Sequence, residues 1–74
     1  MLKEGMVLEF TFGEIDPITL HEENQYTKKE LILEIKNGYA TMYRLNNGST
    51  YKVSLDFLEK YVRCRIARII EERA

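Results

Sequence analysis

Tryptophan is absent from this sequence, and cysteine, proline and histidine each occur once. A single cysteine, Cys64, cannot form an internal disulfide, so nothing indicates an oxidising compartment. No stretch approaches the roughly 20 apolar residues that span a bilayer, and no basic segment followed by a long apolar run opens the chain. We therefore expect a cytoplasmic protein with no membrane partner.

The scarcity of histidine also limits the chemistry that the chain offers. His21 is the only imidazole base, and the candidate nucleophiles are Cys64, Ser49 and Ser54. Ser49 belongs to a turn, Ser54 is better explained as a helix cap, and Cys64 has no base near it in the sequence. The glycines stand singly at turns, so no phosphate-binding loop is present. The sequence indicates no enzymatic activity.

One acidic stretch contains the only grouping that resembles a metal site. Asp16, His21, Glu22 and Glu23 carry imidazole and carboxylate groups, which are ordinary ligands. Their spacing matches no ligand motif, and a solvated acidic loop is the simpler interpretation. We expect no metal and no other cofactor.

Length and charge describe one small domain, residues 1–74. Hydrophobic residues make up 45% of the chain, too many for a disordered protein. Residues 1–35 carry three lysines and eight acidic residues, net −5, whereas residues 36–74 carry eight basic and four acidic residues, net +4. This asymmetry fits two halves that fold against each other, and it also fits a self-complementary surface or a nucleic-acid face.

Residues 30–54 read as a meander of three strands. Asn37-Gly38 stands between two apolar runs, and such a pair is the strongest short-range signal for a two-residue hairpin loop. A second turn is expected over residues 46–49.

Closing both turns with two residues predicts the pairs Lys36 with Tyr39, Leu33 with Met42, Met42 with Val53 and Tyr43 with Lys52. The predicted core side then comprises Leu31, Leu33, Ile35, Ala40, Met42, Arg44, Tyr51, Val53 and Leu55. The predicted outer side comprises Ile32, Glu34, Lys36, Tyr39, Thr41, Tyr43, Thr50 and Lys52.

Residues 27–36 admit a competing interpretation. Thr27 and Glu30 have the spacing of a capping box, and Gly38 could end a helix. The isoleucine-rich alternation and the Asn-Gly turn favour a strand, and the helix stays open as an alternative.

The first part of the chain predicts one strand and one long loop. Residues 6–12 alternate as in a half-buried strand, and residues 13–29 form a long acidic connection. Asp16 followed by Pro17 predicts a helical turn over residues 17–23. Long loops of this kind often bind partners, although this one equally reads as merely solvated.

The end of the chain predicts a helix over residues 55–72, capped by Ser54 and with Asp56 in its first turn. Its core stripe comprises Leu55, Leu58, Val62, Ile66, Ile69 and Ile70. A second set lies beside this stripe on the predicted helix, and it comprises Phe57, Tyr61, Cys64 and Arg68. Aromatic residues with arginine are typical of interface cores, so this set predicts a protein interface, unless the loop covers it within one chain.

The outer sheet side predicts a different surface, formed by Lys36, Tyr39, Tyr43 and Lys52. Tyrosines flanked by cations are how sheets stack and neutralise single-stranded nucleic acids. Tyrosine is also simply a good strand former on a half-exposed face.

These observations predict an α+β domain with a four-stranded, mainly antiparallel sheet and a long C-terminal helix packed on it. As an alternative, the same strands could curl into a small SH3-like barrel. We expect a non-catalytic protein-interaction module or regulator that self-associates or docks on a larger protein. The alternative is a nucleic-acid-binding regulator.

Overall fold

The computed structural model describes the backbone of residues 2–15 and 22–73 and the side chains of residues 2–12 and 27–73. Within these residues the elements are β1 (Met6–Ile15), β2 (Glu22–Lys36), β3 (Tyr39–Arg44), β4 (Thr50–Ser54), α1 (Leu55–Arg63) and β5 (Ala67–Glu72). The strands form one open antiparallel sheet in the order β4-β3-β2-β1-β5. The predicted α+β class is confirmed. The prediction of four strands and a long helix is partly wrong, because the sheet has five strands and the helix is short. The sheet is open and does not close into a barrel.

The prediction of a long acidic loop over residues 13–29 is wrong for most of its length, because β1 and β2 form an extended hairpin. The register runs from Val7 opposite Leu31 to Ile15 opposite Glu22. Antiparallel pairing supplies hydrogen-bond partners to both backbones without requiring apolar alternation, which this segment lacks. Residues 17–21 of the helical turn expected over residues 17–23 lie outside the described residues. Its last two positions belong to β2.

The first predicted turn is confirmed. Lys36 pairs with Tyr39, and the two loop residues Asn37 and Gly38 have φ values of 54° and 79°. Positive φ at both positions is what a type I′ turn requires. Residues 27–36 are accordingly a strand, and the helix alternative is excluded.

A bulge at Leu33 corrects the predicted faces of β2. Ile32 pairs with Met42 and Glu34 pairs with Thr41, which leaves Leu33 as the extra residue. Ile32 is fully buried, and Leu33 is 45% exposed. The bulge lets Ile32, which is buried, and Ile35, which is partly buried, contact the same core, although regular alternation would place them on opposite faces.

The second turn lies earlier than predicted. Arg44 and Ser49 close the loop through a hydrogen bond from the Arg44 N–H to the Ser49 carbonyl, so residues 45–48 form a four-residue connection. Met42 therefore pairs with Tyr51, and Tyr43 pairs with Thr50, two positions from the predicted partners. An even shift preserves the faces of β4, because side chains alternate with a period of two.

The helix α1 packs on one face of the sheet and completes the core. The buried cluster comprises Leu2, Met6, Leu8, Phe10, Ile32, Ala40, Met42, Leu58 and Ala67. The opposite side is called the open face here, and no helix of the described residues packs on it. By register, it includes Val7, Glu9, Leu31, Glu34, Lys36, Tyr39, Thr41, Tyr43, Lys52, Arg68 and Glu71.

The predicted helix over residues 55–72 is wrong after Arg63. The N–H groups of Arg65 and Ile66 donate to the carbonyls of Val62 and Tyr61, and Arg65 has a φ of 63°. These two bonds and the left-handed residue constitute a Schellman motif, which ends the helix.

The segment after the motif becomes β5 and pairs with β1. Its β-branched isoleucines suit a strand, and the pairing satisfies backbone groups of β1 that would otherwise form an edge. At the start of the helix, Ser54 occupies the expected position, but its side chain makes no capping hydrogen bond.

Candidate interaction surfaces

The strand β5 forms one edge of the sheet. It pairs with β1 on one side, and no other strand of the described chain pairs with its second side. All of its residues except Ala67 are exposed, among them Ile69 at 41% and Ile70 at 39%. An edge strand presents unpaired N–H and C=O groups, so β5 combines backbone hydrogen-bonding capacity with exposed apolar side chains.

A second bulge gives β5 an unusual arrangement of charge. Val7 pairs with Glu71 and Leu8 pairs with Ile69, so Ile70 is the extra residue. Arg68 pairs with Glu9, which lies on the same face as Val7. The bulge therefore places Arg68 and Glu71, three residues apart, together on the open face.

Both of these charges already have partners within the chain. Nη2 of Arg68 lies 2.8 Å from Oε1 of Glu9, and its Nε donates to the same oxygen at 2.9 Å. Nε of Arg73 lies 3.2 Å from Oε1 of Glu71. Acidic and basic groups therefore alternate along this margin of the sheet.

An apolar groove of about 220 Å³ separates α1 from β5. It is lined by Leu2, Glu59, Val62, Arg63 and Ile69. Ile69 belongs both to this groove and to the exposed strand, so the groove and the edge form one continuous surface.

The predicted interface set is divided by the early end of the helix. Phe57 and Tyr61 remain together on α1, with ring centroids 6.5 Å apart. Cys64 is exposed at the C-terminal cap, and Arg68 lies in β5 on the open face, away from α1. The single helical face that motivated this set does not exist, and the interface role of its members stays a prediction.

Tyr61 belongs largely to the core. Its ring meets Phe10 edge-on at 6.2 Å, and Phe10 in turn stacks with Phe12 at 6.3 Å. The aromatic row therefore runs from β1 to Phe57, which is 55% exposed. Phe57 is the member of the predicted interface set whose ring is available to a partner.

The predicted nucleic-acid set is brought together on the open face. Lys36 pairs with Tyr39, and Lys52 pairs with Thr41 between Tyr39 and Tyr43. Lys36, Tyr39 and Lys52 line a shallow groove of about 260 Å³, which also contains Glu34. Tyr43 is less available, because it is only partly exposed and its hydroxyl lies against the turn at Gly48.

A buried polar cluster was missed by the sequence interpretation. The Tyr51 hydroxyl donates a hydrogen bond to Oε1 of Glu30, which is 5% exposed, and Nε of Arg44 lies 3.9 Å from the second carboxylate oxygen. Burial raises the pKa of Tyr51 well above its usual value, and the hydrogen bond and charge of Glu30 raise it further. The regular register predicted from the sequence could not reveal the cluster, because Glu30 lies opposite Arg44 only after the bulge at Leu33.

Ser49, one of the candidate nucleophiles, is held within the turn between β3 and β4. The Ser49 hydroxyl accepts from Nη1 of Arg44 at 3.0 Å and donates to Oδ1 of Asn47 at 2.7 Å, which is the geometry of a turn. Across the described residues, no group of three or more His, Cys, Asp or Glu side chains could hold a metal ion. The side chains of Asp16, His21, Glu22 and Glu23 lie outside that part.

The helix α1 has nine residues, and no helix in the described part of the chain is long and apolar enough to cross a membrane. No protein-family model, curated protein or solved structure matches this chain.

Proposed function

We propose that this chain is a non-catalytic, cytoplasmic protein-interaction module that self-associates. The observation that carries the proposal is the exposed β5 edge, where Ile69 and Ile70 border an apolar groove. Strand addition to such an edge supplies main-chain hydrogen bonds, and the flanking side chains supply specificity. A chain of 74 residues has a limited core, so burying this surface in a symmetric dimer also stabilises the fold.

The test is the solution mass, measured by sedimentation velocity from low to high micromolar concentration. We expect a concentration-dependent shift from monomer to dimer. Ile70→Lys should weaken this shift, because it places a charge in the centre of the edge. Leu45→Lys is the matched control, since Leu45 is a comparably exposed apolar residue in the turn between β3 and β4. A mass that stays monomeric throughout argues against the proposal.

Phe57 offers an alternative contact for the same function. Phe57→Ser removes an exposed ring while leaving the contact between Phe10 and Tyr61 intact. Substituting Tyr61 instead would disturb the core and confuse folding with association. A loss of dimer in Phe57→Ser, but not in Ile70→Lys, would move the interface from β5 to the helix.

The second candidate function is binding of single-stranded nucleic acid on the open face. It is favoured by the placement of Lys36, Tyr39 and Lys52 in one groove, whereas Glu34 in the same groove opposes it. Fluorescence anisotropy with mixed-sequence oligonucleotides, at low salt and at about 0.15 M, tests this function because phosphate contacts weaken with salt.

Tyr39 provides the matched pair of variants for that measurement. Tyr39→Ala should abolish a stacking contribution that Tyr39→Phe retains. Absent or salt-independent binding would remove the nucleic-acid candidate.

A further inference from the structure

The four residues at the centre of β5 are self-complementary when two copies run antiparallel. Their order is Arg68, Ile69, Ile70 and Glu71. Building on the proposed self-association, we infer that two copies pair through β5 about a two-fold axis. In this pairing Arg68 lies opposite the partner's Glu71, this contact occurs twice, and Ile69 and Ile70 of both copies lie between the two contacts.

The bulge at Ile70 makes this register possible. Residues directly opposite in an antiparallel pair point to the same face, and a two-fold axis perpendicular to the sheet keeps each residue on its own face. In a regular strand, Arg68 and Glu71 would point to opposite faces and could not meet. Here they share the open face, because they lie opposite Glu9 and Val7 of β1.

Charge favours a second copy of β5, and not an unrelated strand, as the partner of this edge. Arg68 already contacts Glu9 at 2.8 Å, yet its side chain is 73% exposed. Adding the partner's Glu71 on the other side extends the row, since Glu71 in turn contacts Arg73 within its own chain. Acidic and basic groups then alternate across both copies, and opposite charges facing each other across strands stabilise a sheet.

The other edge of the sheet lacks this property. The central residue of β4 is Lys52, which is exposed. Centred antiparallel pairing of β4 with its own copy would bring the two Lys52 side chains opposite each other, and like charges in that position are destabilising. A lysine on an edge strand is a common device against such pairing. Self-association is therefore directed to β5.

Packing supports the same pairing. Ile69 points to the core side, opposite Leu8, and lines the groove between α1 and β5. A second copy paired to β5 lies beside this groove and covers Ile69 on one face while Arg68 and Glu71 interact on the other. Both faces of the edge then contribute to the contact.

Charge reversal tests the register. Arg68→Glu places two carboxylates opposite each other across the interface, and Glu71→Arg places two guanidinium groups opposite each other. Each variant alone should dimerise at least about tenfold more weakly in sedimentation velocity. Mixing the two variants should restore dimers, because both contacts are again attractive. The double variant should dimerise with itself. Raising the salt concentration should weaken the original dimer.

Lys60→Glu is the matched control, because it makes the same change of charge at an exposed position on α1. Circular dichroism of each variant checks that the monomer remains folded when Arg68 no longer contacts Glu9. A dimer that is indifferent to both reversals, or that mixing does not restore, overturns this register and leaves the proposed self-association standing. A monomeric original chain overturns both.

Discussion

The Tyr51 hydroxyl donates a hydrogen bond to the buried carboxylate of Glu30, which ties β4 to β2 across β3. Arg44 of the intervening strand completes the cluster, with its guanidinium carbon 4.2 Å from the centre of the Tyr51 ring. A buried carboxylate is costly unless it has partners, and Glu30 receives them from β3 and β4. The cluster therefore helps to specify the register of the meander.

Removing the tyrosine hydroxyl should destabilise the fold. Tyr51→Phe leaves the Glu30 carboxylate buried with one donor fewer, and we expect a loss of about 1–3 kcal/mol in the free energy of unfolding. Urea unfolding followed by circular dichroism measures it. Tyr39→Phe is the control, because Tyr39 is 55% exposed and its change should stay within about 0.5 kcal/mol. Equal losses in both variants would contradict a structural role for the Tyr51 hydroxyl.

The raised pKa of Tyr51 predicts a loss of stability in alkali. Below a pH of about 10, both the folded and the unfolded chain keep this proton. Above it, the unfolded chain releases the proton while the folded chain retains it, so the unfolded state binds fewer protons and stability falls with pH. The stability difference between the original chain and Tyr51→Phe should therefore shrink above that pH. A difference that stays constant would contradict the raised pKa.

Local signals predicted the parts of the fold that depend on local chemistry. The Asn37-Gly38 turn follows from backbone conformations that few residue types adopt, and it is where the structure has it. The alternation at the start of β1 places Leu8 and Phe10 in the core, because successive side chains of a strand point to opposite faces. Arg44 was assigned to the core side, and it lies there beside Glu30.

Non-local pairing accounts for what the sequence left unresolved. Ile66, Ile69 and Ile70 continue the apolar period of a helix, yet β5 gains its partner from β1, and Arg68 contacts Glu9 across 59 positions of sequence. No periodicity within the last segment contains that information. The interface set on the predicted helix failed as a single face for this reason, whereas the nucleic-acid set lay within one meander and came together.

The bulge in β2 predicts that Ile32, and not Leu33, contributes to the core. Ile32 is fully buried and Leu33 is 45% exposed, the reverse of regular alternation. We expect Ile32→Ala to cost about 2–5 kcal/mol, because it removes buried methyl groups and leaves a cavity. Leu33→Ala should cost about 1 kcal/mol or less. Denaturant unfolding midpoints of the two variants compare these losses of stability. A larger loss in Leu33→Ala than in Ile32→Ala would contradict the bulge and support a regular register.

The end of α1 predicts a stabilising substitution. Arg65 holds the left-handed position of the Schellman motif at a φ of 63°, where a side chain with a Cβ atom is strained by about 1–2 kcal/mol. Glycine removes that strain, although it adds freedom to the unfolded chain. We expect Arg65→Gly to gain about 0.5–1 kcal/mol, which raises the melting temperature by several degrees in a domain of this size.

The neighbouring position separates this cause from a general effect of glycine or of lost charge. Arg63→Gly removes the same charge from the last turn of α1, where glycine is a poor helix former, and it should lose about 1 kcal/mol. Thermal unfolding of the two variants should therefore shift in opposite directions from the original chain. If Arg65→Gly also lowers the melting temperature, the helix does not end at a left-handed Arg65, and the continuous helix through residue 72 returns as the better description.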